Sequence, residues 1–144
     1  MQHNASMPGS SQARWAALLV GVAAWASAVP WLAEAVGLGL AVPTRLEVAD
    51  HVLPGVVTLM AVVLLVVLGG RPGSVGWLGA GSAVFLAGLW TTTTHVPLIF
   101  DAFEGAVSWG AAVLHFSAGP PIFVLGLWML LRSQHSAAGV RQEG

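Results

Sequence analysis

Four apolar runs, each long enough to cross a bilayer, leave this chain few ways to fold. They cover residues 15–40, 48–68, 75–100 and 106–131. A spanning helix needs about 20 residues. Inside hydrocarbon every backbone N–H and C=O must find its partner within the protein, so each run is predicted to be a helix. Between the runs only residues 41–47, 69–74 and 101–105 remain, too few for a soluble catalytic domain. The expected fold class is therefore all-α, a four-transmembrane-helix bundle at residues 14–132. Residues 1–13 are expected to form a disordered cytoplasmic tail, and residues 133–144 a second cytoplasmic tail. Any function has to be built inside the bundle or at its rims.

Composition agrees and narrows the classes. Of 144 residues 56% are hydrophobic and 8% charged, against about a quarter charged in soluble domains. The chain has no cysteine, which excludes disulfides, thiolate chemistry, c-type haem attachment and cysteine-ligated clusters. With no lysine, five arginines and a net charge of −1, nucleic acid is not an expected partner.

Arginine placement sets the expected orientation. Arg14, Arg71, Arg132 and Arg141 fall on one side of a four-span chain and Arg45 alone on the other. The positive-inside rule then puts both termini in the cytoplasm, in the plasma (inner) membrane, with the lipid bilayer as partner. Trp15, Trp77 and Trp128 fall near the inner interface and Trp31 and Trp109 near the outer one, while Trp25 and Trp90 lie deeper and are expected to pack against helices. Arg14 and the apolar residues up to Ala26-Ser27-Ala28 also fit a signal-peptide pattern. The run continues through Pro30 to Leu40, so an uncleaved first helix is the simpler reading. Asn4-Ala5-Ser6 matches a glycosylation pattern, which a cytoplasmic tail would not use.

The two halves resemble each other. Residues 29–35, VPWLAEA, align with 96–102, VPLIFDA, at an offset of 67, which Gly21 and Gly88 share. His51-x-x-x-Gly55 resembles His115-x-x-x-Gly119 at an offset of 64. Two tandem helical hairpins related by a pseudo-two-fold axis along the membrane normal are expected.

Counting about 20 residues from each inner arginine gives the outer edge of the hydrocarbon. Glu34, His51, His95 and His115 all fall near that level, one from each helix, with His115 slightly deeper. Pro30, Pro54, Pro97, Pro120 and Pro121 add breaks in the same half, each removing a backbone donor and freeing a carbonyl one turn earlier. The layer reads as a polar pocket in the outer half of the bundle. His51 and His115, each with a glycine one turn on to admit a macrocycle, are candidate ligands of haem b, and His51, His95, His115 and Glu34 of a metal ion. His95, Glu34 or Asp101 could also orient a ligand or relay protons, and a quinone-like or other small apolar ligand could use the same space. The plainer reading stays open: Glu34, Glu47 and Asp50 as interfacial residues, the prolines as kinks, and the protein as a non-enzymatic subunit or small transporter. A conduction path would require a homo-oligomer.

The threonine run followed by Pro97-Leu98, in a short four-helix chain, resembles the DoxX-like and anthrone-oxygenase-like membrane proteins. The resemblance covers Thr91–Leu98 and the topology, and accounts for neither His51 nor His115. Some members of such families are linked to oxidation of quinone-like or aromatic compounds. For this chain it implies a redox role and carries no residues over; if the chain is an enzyme, the residues themselves point to a cofactor- or metal-assisted oxidoreductase using His51, His95 and His115.

Overall fold

The computed structural model describes residues 9–40, 44–68 and 70–142. His3 and Asn4-Ala5-Ser6 lie outside them. The elements are α1 (Gly9–Ala35), α2 (Thr44–Glu47), a π-helical segment (Val48–Val52), α3 (Leu53–Val67), α4 (Val75–Phe103), α5 (Trp109–Phe116) and α6 (Gly119–Gln142). No strand occurs among the described residues. Four stretches are long and apolar enough to cross a membrane: Gln12–Ala35, Val48–Val67, Val75–Phe103 and Trp109–Gln134. The expected four-span, all-α bundle is the observed fold. Helix begins at Gly9 and ends at Gln142, so residues 9–13, expected to be disordered, and residues 133–142 are helical.

Local chemistry explains where the helices stop. Ser74 and Ser108 cap α4 and α5, their hydroxyls accepting from the amides of Trp77 and Ala111 at 3.2 Å. Helices α1 and α4 end alike. Gly37 and Gly105 hold φ of +75° and +77°, conformations that glycine adopts without strain. Beyond them Leu38 donates to Ala33 at 2.7 Å and Ala106 to Asp101 at 2.8 Å, the six-to-one bond of a Schellman end. The two endings stand 68 residues apart, one more than the offset of 67 that relates residues 29–35 to 96–102.

The helices form a ring in which α4 packs on α3, α5 and α6, and α1 on α3, α5 and α6. Toward the end that carries Arg14, Arg71 and Arg132, the core is apolar. Leu19, Ala61, Leu65, Trp77, Val84, Ile122 and Met129 are at most 1% exposed. Trp77, expected at the interface, is instead the floor of this core, its indole N–H donating to the Met129 carbonyl at 2.7 Å. Trp15 stacks on Trp128 at 4.3 Å, and the Arg132 guanidinium lies 4.0 Å above the Trp128 ring, a cation–π contact at the rim. Trp25 donates to Ser117 at 3.1 Å but is 41% exposed, so it only partly packs as expected. Trp90 is 53% exposed and faces outward, so its depth along the chain did not set its direction.

Glycine sets the helix spacing. A Cβ at Gly88 would meet the backbone of Phe123, one at Gly126 that of Phe85, and one at Gly119 the Thr92 nitrogen at 2.5 Å. Gly55 does the same on the other hairpin, against the Ser27 side chain and, at 3.1 Å, the Ala23 carbonyl. Gly55 and Gly119 are thus equivalent in packing as well as in sequence. Gly21 and Gly88 are not, because nothing lies within 4 Å of a Cβ at Gly21. Close backbone approach through small residues is how helices associate where lipid offers no hydrophobic drive. Gly88→Val should lower stability in detergent by about 1–3 kcal/mol through overpacking. Gly21→Ala should be neutral or gain roughly 0.5–1 kcal/mol. Thermal unfolding of the two variants side by side checks this; equal effects would remove the packing explanation.

Candidate functional site: three histidines in an outer cavity

Three histidines from three elements meet near the end of the bundle opposite that apolar floor. His51 belongs to the π-helical segment, His95 to α4 two residues before Pro97, and His115 to the last turn of α5. They are 1%, 4% and 1% exposed. Ring centroids lie 4.6 Å apart for His51–His95, 5.6 Å for His51–His115 and 6.5 Å for His95–His115. A cavity of about 120 Å³ opens beside them, lined by Leu40, Leu46, Asp50, His51, Thr94, His95, Leu98 and His115.

Backbone carbonyls fix which ring nitrogen faces inward. His95 Nδ1 lies 2.7 Å from the Thr91 carbonyl and His115 Nδ1 lies 3.0 Å from the Ala111 carbonyl, each one turn back. A carbonyl only accepts, so both Nδ1 atoms carry the proton and both Nε2 atoms carry a lone pair. The Thr94 hydroxyl donates to the Thr91 carbonyl at 3.2 Å and sits 3.1 Å from His95 Nδ1, closing the collar around that ring. For His51 the acceptor comes from another helix. The Ala26 carbonyl on α1 acts on its ring as a hydrogen-bond acceptor. Pro30, one turn later, has no N–H to occupy that carbonyl, so the proline in α1 provides the His51 partner.

The inward nitrogens are placed unevenly. His51 Nε2 and His95 Nε2 are 2.9 Å apart. His115 Nε2 is buried with no hydrogen-bond partner, a state that costs about 1–3 kcal/mol. Two imidazole nitrogens bound at about 2.0–2.1 Å to one ion stand roughly 2.9–3.4 Å apart for angles between 90° and tetrahedral. The His51–His95 pair meets that condition. At the same bond lengths two ligating ring centroids stand about 5.3 Å apart at a tetrahedral angle and about 6.5 Å only with the nitrogens on opposite sides of the ion, and His95 and His115 sit at 6.5 Å. Accordingly, among the described residues no three His, Asp or Glu side chains converge as a preformed metal cage. The arrangement is a close pair with a third imidazole facing it.

A haem does not fit these residues. The cavity of about 120 Å³ is below the roughly 150 Å³ that admits one benzene, and a porphyrin is several times larger. Gly55 and Gly119, expected to make room for a macrocycle, are filled by neighbouring helices. His95 also occupies the inward face of His51. Glu34 is corrected as well: it is exposed on α1 and does not line the cavity, because the helix turns its buried face through Ala33 instead. Asp101 lies at the end of α4, outside the cavity lining. The carboxylate that does line it is Asp50, read in the sequence as an interfacial residue. Asp50 and His51 both belong to the π-helical segment, a widening common at functional sites, and both line the cavity. Depth counting located three of the four chosen residues; it could not see which side of its helix Glu34 occupies.

No family model matches this chain, and no curated protein or solved structure is similar to it.

The His51–His95 contact is expected to be energetically coupled. His95→Leu leaves the His51 ring facing an apolar group and should cost about 1–3 kcal/mol. The double variant His51→Leu/His95→Leu should cost less than the sum of the two single changes. A double-mutant cycle by thermal unfolding in detergent measures this, and additivity would show that the rings do not interact.

Proposed function

We propose that this integral membrane protein binds one transition-metal ion between His51 Nε2 and His95 Nε2, at the wall of a small outer cavity. The observation that carries the reading is their 2.9 Å separation, with the opposite nitrogens turned to backbone carbonyls. Two ring nitrogens so close must share either a proton or a cation, and with the Nδ1 protons turned to carbonyls a cation fills that place. An outer hydrogen bond from each ligating imidazole to a carbonyl is the usual support of metal-bound histidine. Neutral imidazole without thiolate suits Zn(II), Cu(II), Ni(II), Co(II) or Fe(II). Two protein ligands leave coordination positions open toward the cavity, where a further ligand can bind. A redox metal there would agree with the role implied by the DoxX-like resemblance.

The depth of the polar residues supports a closed site over a conduction path. Thr58 and Thr91, one or two turns inward, are fully buried and donate to Pro54 and Ala87. Beyond them stands the apolar floor formed by Leu65, Trp77 and Met129. With both termini in the cytoplasm, as the arginine placement favours, the cavity faces the outer side.

Protein purified without a polyhistidine tag should retain about one ion per chain by elemental analysis. His51→Ala and His95→Ala should each lower the affinity by more than the roughly 10–100-fold that losing an outer partner costs. Absence of any ion, with cobalt(II) titration indistinguishable between wild type and the double variant, sinks the reading. Pro30→Ala restores an amide that competes for the Ala26 carbonyl, and should weaken binding by about 10–100-fold while leaving the helices intact by circular dichroism.

A further inference from the structure

The walls of the cavity are unbalanced in a way that bears on what else enters it. Its acceptors are His115 Nε2, which is buried and unpartnered, and the Asp50 carboxylate. Its one hydroxyl, on Thr94, already donates to the Thr91 carbonyl. The remaining lining is the His51–His95 pair and three leucines, Leu40, Leu46 and Leu98. Nothing in that lining offers a spare donor. No arginine lines the cavity and the chain has no lysine.

We infer that the site takes a small, neutral, protic co-ligand, a molecule with its own N–H or O–H, and discriminates against anions. This rests on the metal reading and specifies its second ligand. The co-ligand binds the ion through a lone pair and donates a hydrogen bond to His115 Nε2 across the cavity. Size restricts it to a few non-hydrogen atoms, since about 120 Å³ is less than a benzene site requires. Polarity restricts it further. An anion would set a lone pair against the His115 lone pair and bring its charge toward Asp50, with no donor to offset either. A protic ligand satisfies the one orphaned buried nitrogen that faces the pair. His115 is thus a ligand-positioning residue. Its ring centroid stands 6.5 Å from that of His95, farther apart than tetrahedral joint ligation sets them, and that is the room the co-ligand needs.

The test uses cobalt(II)-loaded full-length protein in detergent, under argon, followed by its visible spectrum. Hydroxylamine serves as the protic probe and azide as the anionic one. In wild type relative to His115→Ala, the ratio of hydroxylamine to azide affinity should be higher by at least about tenfold, equivalent to about 1.4 kcal/mol. His115→Asn, whose amide can either accept or donate, should fall between and guards against a folding defect in the alanine variant. Equal weakening of both probes in His115→Ala and His115→Asn would indicate a purely structural histidine and overturn the inference. A ratio unchanged by either substitution overturns it too. Failure of wild type to take up cobalt at all is a distinct result, and removes the metal reading itself.

Discussion

A backbone carbonyl inside a membrane must be given a partner, and in this protein that requirement organises both the packing and the site. Where helix is continuous the requirement is met along the chain. Where proline interrupts it, a carbonyl is left over and something else has to approach. Pro30 leaves Ala26 free, and the His51 ring comes to it from the next hairpin. The Thr91 and Ala111 carbonyls take a second bond from the histidine one turn on. Three rings are thereby turned the same way, with their outer nitrogens spent on backbone and their inner nitrogens exposed to one another.

Such placement needs rigid walls, which the glycines provide. At Gly88, Gly119 and Gly126 the backbone of one helix of the second hairpin rests on that of the other, and at Gly55 the first hairpin does the same. Each of His51 and His115 stands one turn from such a contact, so both rings hang from a seam that cannot easily shift. The same contacts dispose of the larger cofactors. Space that looks available beside a small residue in the sequence is already taken by a helix.

The site was partly legible and the reasons for its limits are physical. Depth along a helix follows from residue count, because rise per residue is constant, and that arithmetic brought His51, His95 and His115 to one level. Azimuth does not follow when nearly every neighbour is apolar, since lipid-facing and core-facing positions carry the same residue types. Glu34 and Trp90 were misplaced for that reason. Asp50 was read as interfacial because the residue count gave its level along the chain and not the cavity beside it. Nor did the threonine run announce that Thr94 and the Thr91 carbonyl would hold the His95 ring.

By itself the sequence determined the number of spans, the all-helical class, the common depth of three histidines, and the absence of thiol chemistry. Hydrocarbon enforces the first two through the cost of unpaired backbone groups, and length and composition supply the rest. Only the tertiary structure decided that His51 and His95 meet at 2.9 Å while His115 stands apart without a partner, and that the space among them is too small for a macrocycle. Those outcomes depend on rotations of about 100° per residue and on backbone contacts through single glycines. Neither leaves a mark in a chain whose helices are apolar on every side.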